Sequence, residues 1–306
     1  MLIIGENIHI ISPRVKEAIE ARDAASIQQM ARDQVEAGAG ILDLNIGPQR
    51  KFGHEVMPWI VQAVQEVCDV PLSLDTTNLA AMEAGLKVCR DKAMLNSASA
   101  DPERLDPIMQ LAARYGARVI ALTMGVEGIP TTSDGRVAIA MESLLPAAEA
   151  AGVPVGDVYL DPLVLTVTCN QDVAQASVEA IRMFKMVSDP PPTTTVGLSN
   201  ISNGCPAENR PLINRTFLVM LMAAGLDSAI ADPLDIAQME WIRIVESRDD
   251  STSVGRLVLA LYDATAAMED FDEGLVDAGD DDQVAILKTY RMLHNRVLYA
   301  DSYLRF

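Results

Sequence analysis

One local pattern recurs along the 306 residues: a short apolar run, a polar tip, a loop and a segment with helical spacing. The clearest copy is Thr193–Phe217, where a β-branched run stops at Ser199 and Asn200 and a helix is predicted from about Pro211. Apolar runs without alternation are typical of parallel strands buried on both faces. Eight of them, spaced by roughly thirty residues, predict a closed (β/α)8 TIM barrel with its chemistry at the strand ends. The predicted strands are Leu2–Ile4, Ile41–Asn45, Leu72–Asp75, Ala93–Asn96, Val119–Thr123, Val158–Asp161, Thr195–Ser199 and Ser228–Asp232.

The segments between these runs have the spacing of amphipathic helices. Ile27, Met30 and Val35 share one helical face, which ends before Gly38. An open, doubly wound sheet is the alternative arrangement. No Gly-x-Gly-x-x-Gly opens any of these helices, so the dinucleotide-binding version of that sheet has no support. Three more helices are predicted after the last strand, at Asp235–Glu246, Ser253–Met268 and Asp282–Leu304, with an acidic surface turn before the last one.

Composition limits the partners that such a chain can have. The formal net charge is −19 and the pI is about 4.4, which argues against nucleic acid and against an anionic membrane surface. The four cysteines form no Cys-x-x-Cys pair, so neither a metal site nor a disulfide framework is indicated. The N-terminal sequence lacks the basic start of a signal peptide. We therefore expect a soluble cytoplasmic protein.

The residues at which the predicted strands stop are mostly acids, amides and hydroxyls. They are Glu6 and Asn7, Asp43 and Asn45, Asp75, Asn96, Thr123, Asp161, Ser199 and Asn200, and Asp232. A carboxylate accepts two parallel N–H bonds from a 2-aminopyrimidinone edge, and an amide both donates and accepts. A phosphate would instead need Lys, Arg or a glycine-rich turn. Taken singly, these residues are equally explained as N-caps or turn formers. Together they predict a pocket for a neutral, donor-rich heterocycle, which His9 is also placed to reach.

Several of these segments resemble a known family, the methyltetrahydrofolate:corrinoid methyltransferases. The similar segments are LIIGENI, ILDLNIGP, LSLDTTN, AMLNSAS, LDPL and GLSNIS…NRPLINRTFL, which begin at Leu2, Ile41, Leu72, Ala93, Leu160 and Gly197. The resemblance covers nearly all of residues 1–235 and resumes at about residue 291. It implies a pterin-binding TIM barrel that works as a homodimer in one-carbon metabolism. Residues 1–306 then form a single domain with C-terminal helices at 235–306, of which about 241–284 are an insertion relative to short family members.

The resemblance also implies an activity and its participants. The N5-methyl group of 5-methyltetrahydrofolate would pass to the Co(I) of a cobalamin-type corrinoid on a corrinoid iron–sulfur protein, in the acetyl-CoA pathway. The same chemistry run in reverse would take the methyl from a small corrinoid protein to tetrahydrofolate during O-demethylation. The corrinoid belongs to the partner, and this chain itself would bind no metal.

The family's functional residues fall on matching positions of this sequence. The pterin-holding residues fall on Asp75, Asn96 and Asp161, and the catalytic asparagine falls on Asn200. The remaining pocket residues implied by the matching motifs are Glu6, Asp43, Ser199, Asn203, Arg210 and Ile230. The sequence departs from a well-known member at Asn7, where that member has arginine, and at Asn203, where it has glutamine.

Two other functions compete with methyl transfer. Dihydropteroate synthase resembles this fold, but its reaction expels pyrophosphate and needs a basic site near the mouth. The only basic pair near a strand tip is Arg50–Lys51, and the synthase signatures are absent. A protein of another class, a non-catalytic folate-binding subunit, would keep the pocket without the reaction.

Overall fold

Eight parallel strands follow one another around a barrel in the computed structural model, which describes residues 1–304. The strands are β1 Leu2–His9, β2 Ile41–Asn45, β3 Leu72–Asp75, β4 Met94–Ser99, β5 Arg118–Leu122, β6 Val158–Asp161, β7 Thr193–Thr194 and β8 Ser228–Ala231. They pair in chain order from β1 to β7, and β8 lies beside β1. A single parallel bridge between Gly197 and Ile230 joins the remaining seam. The predicted TIM barrel is confirmed, and the open sheet is not observed.

Five of the eight strands differ from their predicted bounds, and β1 and β7 differ most. β1 continues to His9 because the chain pairs with β2 on both sides of a register shift between Gly5 and Ile8. β7 is only two residues long, whereas Thr195–Ser199 was predicted. The reason is a change of partner: the Thr195 N–H still bonds to β6, but the carbonyl of Val196 accepts from Ile230 of β8 at 2.8 Å. The polar residues that follow β7 therefore lie in a turn.

Thirteen α-helices are found in residues 1–304. They are α1 Pro13–Ala21, α2 Ala24–Glu36, α3 Gly53–Gln65, α4 Leu79–Leu86, α5 Pro102–Tyr115, α6 Ser133–Ile139, α7 Leu145–Ala151, α8 Val167–Asn170, α9 Ala174–Phe184, α10 Arg210–Ala223, α11 Ile236–Ser247, α12 Ser253–Ala267 and α13 Asp281–Leu293. A π-helical segment, Ala140–Leu144, joins α6 to α7. None of the helices in this part of the chain has the length and apolarity to cross a membrane.

The last helix is shorter than predicted. α13 ends at Leu293 rather than Leu304, and Asn295 takes a left-handed φ of +54°. Beyond it, the buried Gln171 side chain donates to the carbonyls of Met292 and Val297 and accepts from the backbone of Tyr299. The Gln171 side chain thus takes the place of the backbone hydrogen-bond partners that a continued helix would have provided for these residues. Residues 305 and 306, which belong to the predicted domain 1–306, lie outside the described residues.

The interior of the barrel changes from apolar to polar along the strands. One buried layer consists of Ile4, Ile41, Met94, Ile120 and Tyr159. Because side chains of a strand return to the same face every second residue, the next inward positions lie two residues further along. On β1, β2, β4 and β6 these positions carry Glu6, Asp43, Asn96 and Asp161. The alternation of the strands thus places a polar layer on top of an apolar one at the carboxyl end of the barrel.

Candidate active site

Five side chains at the ends of β2, β3 and β4 form one hydrogen-bonded cluster. Asp43 Oδ1 accepts from the Ser73 hydroxyl at 2.6 Å and from Asn96 Nδ2 at 3.1 Å, and Asp75 accepts from Asn45 Nδ2. The register explains this grouping, because Asp43 pairs with Ser73, while Asn45, Asp75 and Asn96 lie side by side across the three strands. The predicted residues Asp43, Asp75 and Asn96 are therefore brought together.

The two carboxyls of this cluster affect each other's protonation. Asp43 is 3% exposed and Asp75 is half-buried. Burial raises the pKa of both groups, and the charge of Asp43 raises the pKa of Asp75 further. Hydrogen bonds from Ser73 and Asn96 favour the charged form of Asp43. The pair therefore favours holding one proton, and Asp75 is the more basic of the two carboxyls.

Asp161 ends β6 on the other side of the mouth. Its Oδ1 accepts from the backbone N–H of Leu163 at 2.7 Å, in a turn where Leu163 has a φ of +65°. The Thr123 hydroxyl donates to the carbonyl of Asp161 at 3.0 Å and fixes its backbone. Burial raises the pKa of the carboxyl to about 7, while the Leu163 amide and the charge of Arg136 oppose the rise.

Glu6 connects β1 to the loop that follows β7. The Ser199 hydroxyl donates to Glu6 Oε2 at 2.8 Å. Burial raises the pKa of Glu6 to about 7, the hydrogen bond from Ser199 and the charge of Arg210 lower it, and the charge of Asp232 raises it. These four side chains line a cavity of about 710 Å³ that opens at the mouth. The predicted residues Glu6, Ser199 and Arg210 thus share one wall of the site.

Asn200 lies in a 3-10 turn, Leu198–Ser202, and not at a strand tip. Its Oδ1 accepts from Asn203 Nδ2 at 3.1 Å, and Arg210 donates to Asn203 Oδ1 at 3.4 Å and to the Ser202 hydroxyl at 3.2 Å. The chain from Arg210 through Asn203 fixes the oxygen of Asn200. In residues 1–304 no acceptor is bound to its Nδ2, which leaves that amide nitrogen able to donate to a ligand.

The turn is held from both sides. A Cβ atom on Gly197 would lie 3.0 Å from Asn200 Nδ2, so a larger residue there would displace the amide. From α8 and the residue before it, the hydroxyls of Thr166 and Thr168 donate to the backbone carbonyl of Asn203. The loop after β6 and the turn after β7 are thereby joined.

The remaining residues predicted from the sequence, Ile230 and His9, have supporting roles. Ile230 packs against the apolar layer of the barrel and forms part of the floor below the polar side chains. His9 is half-buried, and its Nδ1 accepts from the backbone N–H of Ile11 at 3.1 Å. Burial lowers the pKa of this histidine. His9 therefore supports the turn after β1.

Ser73 in the cluster and Arg104 beside it were not predicted from the sequence as site residues. Ser73 lies two positions before Asp75, so the strand period alone indicated that it faces inward. Arg104 gave no such signal, because it comes from α5. Its guanidinium donates to the carbonyls of Ser97, Thr77 and Thr76, and its charge lowers the pKa of Asp75. Arg104 thus connects the β3 and β4 ends of the mouth.

The chemistry of this arrangement suits a polar, planar ring. Its walls offer carboxyl and amide groups, and its floor is apolar, which suits a heterocycle with several N–H donors. Within residues 1–304, no group of three or more His, Cys, Asp and Glu side chains is placed to hold a metal ion. That this chain binds no metal stays a prediction. Fold and site together define a TIM barrel of the pterin-binding type.

Comparison with known proteins agrees with that class. The model of the family of pterin-binding enzymes matches residues 12–232. The methylcorrinoid:tetrahydrofolate methyltransferase of Eubacterium limosum is 32% identical over 238 residues, which cover 76% of this chain and 85% of that protein. The chain belongs to the family of pterin-binding enzymes.

Two further relatives show how far the likeness extends. The methionine synthase of Mycobacterium tuberculosis is 32% identical over 252 residues, 79% of this chain but only 21% of that longer protein. The crystal structure of dihydropteroate synthase from Thermus thermophilus has a TM-score of 0.57 and 22% identity, and the match covers 81% of this chain and 92% of that one. At that identity the likeness shows the fold alone.

Proposed function

We propose that this protein transfers a methyl group between N5 of a tetrahydrofolate and the cobalt of a corrinoid carried by another protein. The observation that carries the proposal is Asn200, whose oxygen is fixed by Asn203 and whose Nδ2 is available at the rim of an acid- and amide-lined pocket. The preferred direction is from 5-methyltetrahydrofolate to the Co(I) of a corrinoid iron–sulfur protein, as in the acetyl-CoA pathway. A homodimer and a cytoplasmic location accompany this proposal as expectations.

The pocket would hold the pterin by its polar edge. Asp75 and Asp161 supply acceptors for ring N–H groups, and Asn96, held by Asp43, supplies an amide that both donates and accepts. Each carboxyl is fixed by a neighbour before the ligand arrives: Asp75 by Asn45 and Asp161 by the Leu163 amide. Pre-fixed partners reduce the entropy lost on binding and set the direction of the methyl group.

The reaction itself needs help at N5. When the methyl carbon moves, the cobalt supplies the electron pair of the new bond, and the pair of the broken C–N bond stays on N5, which takes up one proton from solvent to give tetrahydrofolate. A tertiary amine is a poor leaving group, so a proton on N5 or a hydrogen bond that strengthens with developing charge lowers the barrier. Asn200 Nδ2 is a donor that does not titrate. Its role would be to strengthen its bond to N5 in the transition state.

The names of the relatives support this proposal. A methylcorrinoid:tetrahydrofolate methyltransferase and a methionine synthase both match most of this chain. The first of these names describes transfer from a methylcorrinoid to tetrahydrofolate, which favours a second candidate: the same site working in reverse, with a small corrinoid protein in O-demethylation. Since the bond made to cobalt is also the bond broken in the reverse reaction, one pocket serves both directions.

Asn200→Ala separates binding from transfer. We expect methyl transfer from methyltetrahydrofolate to cob(I)alamin to fall by about 10–1000-fold, the cost of removing one transition-state hydrogen bond. Folate affinity should stay near normal. Asn203→Ala should give a smaller loss of methyl transfer, since Asn203 orients Asn200 without reaching the ligand. As a matched comparison, Asp75→Ala should weaken folate binding. Near-normal turnover in Asn200→Ala would remove that residue from the mechanism.

The assay also tests the remaining alternative. A non-catalytic folate-binding subunit would bind methyltetrahydrofolate but transfer no methyl to cob(I)alamin. Repeating the assay with a corrinoid iron–sulfur protein and with a small methylcorrinoid protein plus tetrahydrofolate distinguishes the two directions, because the physiological partner should react faster at equal concentration.

A further inference from the structure

Arg136 is a fully buried cation that the proposed chemistry does not use. It lies on α6, outside the strands, and its side chain has 0% exposure, the largest such side chain in residues 1–304. Burying a guanidinium is costly unless its charge and its donors are matched. A buried arginine beside a binding site therefore needs a physical reason.

Its contacts lead towards the site. Nε donates to the carbonyl of Pro130 at 3.0 Å and Nη1 to the Ser177 hydroxyl on α9 at 2.8 Å. The Ser177 hydroxyl in turn donates to the carbonyl of Leu163 at 3.5 Å, and the Leu163 N–H donates to Asp161. Arg136 is thus connected to Asp161 through the Ser177 hydroxyl and the backbone of Leu163.

The charge of Arg136 is not neutralised by direct contact. Among the described residues no carboxylate oxygen lies within 4.0 Å of the guanidinium, and Nη2 is buried without a hydrogen-bond partner. The neighbours of β6 bring only uncharged side chains to its end: Leu122 and Thr123 on one side, and Thr194 and Thr195 on the other. Arg136 is the one charged group in the described chain that opposes the effect of burial on the Asp161 pKa.

We propose that Arg136 is a positioning residue that keeps Asp161 anionic and correctly turned for the ligand. This rests on the proposed function, in which Asp161 accepts N–H bonds from the pterin. A protonated carboxyl would present its O–H donor to the N–H donors of the pterin, so binding needs the charged carboxylate. Burial alone favours the neutral acid, and a cation behind the turn offsets that preference. The arginine would act from below the pocket without touching the substrate.

The test is the pH dependence of folate binding in Arg136→Met. Calorimetric titration with methyltetrahydrofolate between about pH 5.5 and 9 should show the midpoint of the affinity moving up by about one pH unit, and the affinity at pH 7 falling about fivefold. At the alkaline end of this range the folate affinity of Arg136→Met should return towards that of the wild type, because Asp161 is then ionised even without the arginine. Arg136→Lys, which keeps the charge, should retain most of the wild-type midpoint.

Two further variants separate charge from scaffold. Ser177→Ala removes the hydroxyl that links Arg136 to Leu163 but removes no charge. We expect the folate affinity of this variant to change while the pH midpoint of that affinity stays in place. In an Asp161→Asn background, adding Arg136→Met should move the midpoint no further. The inference would be overturned if folded Arg136→Met lost affinity equally at every pH or kept the wild-type midpoint. It would also be overturned if Arg136→Lys had the same midpoint as Arg136→Met. Failure of the wild type to bind the folate would instead count against the proposed function.

Discussion

At the scale of residues, the mouth of the barrel is notable for carboxyls that are hard to ionise. Burial raises the pKa of Glu6, Asp43, Asp75 and Asp161 together. Asp75, whose pKa is raised by burial and also by the charge of Asp43, is the one that most readily holds its proton while the pocket is empty. Ligand N–H groups stabilise the carboxylate, so the pKa of a contacting acid falls when the ligand binds. Binding and proton release are therefore linked, and affinity should increase as the pH rises through the raised pKa.

Asp75 should be the main source of that proton. We expect methyltetrahydrofolate binding near pH 7 to release a fraction of a proton, with tighter binding at pH 8 than at pH 6. The released fraction follows from calorimetry in two buffers of different ionisation enthalpy. Asp75→Asn should reduce the release, whereas Asp106→Asn on the exposed face of α5 should not. Proton uptake, or unchanged release in Asp75→Asn, would contradict this account of the pair.

At the scale of elements, the eight strands were predictable, but the bounds of five of them were not. Apolar runs and the strand period indicated the eight strands and the inward acids and amides, including Asp43, Asn96 and Asp161, because these signals are local. The short β7 depends on a partner change at Val196, and Arg104 and Arg136 reach the site from helices outside the barrel. Such contacts are set by tertiary packing, which no local spacing records.

Gln171 is such a contact, and it determines where the C-terminal helix stops. Gln171→Ala removes two donors and one acceptor that hold the backbone at Met292, Val297 and Tyr299. We expect faster hydrogen exchange in residues 294–304 and a loss of unfolding free energy of about 2 kcal/mol, since buried backbone groups lose partners. The control is Gln175→Ala, which loses one bond to Leu293. Equal effects of the two variants would show that Gln171 does not hold this segment.

At the scale of the whole molecule, exposed apolar side chains gather around the polar mouth. Large apolar side chains that are exposed in loops or at helix starts following a strand are Ile11, Phe52, Val126, Leu234 and Ile236. Leu234 and Ile236 also line the cavity that contains Glu6 and Ser199. In a TIM barrel these loops form the face through which ligands enter. If the methyl group leaves through this face, the corrinoid-carrying protein must contact these side chains.

Ile236 is the sharpest probe of that contact, because 83% of it is exposed in the isolated chain. We expect Ile236→Glu to lower methyl transfer to a protein-bound corrinoid by about tenfold or more, since it replaces apolar burial with a desolvated charge. Because Ile236 also lines the cavity beside Glu6, transfer to free cob(I)alamin should fall less than transfer to the protein-bound corrinoid. Met186→Glu is the control, because Met186 is 71% exposed between α9 and β7, at the opposite end of the barrel. Equal losses with both acceptors would place Ile236 in the folate site, and no loss with either would place the partner elsewhere.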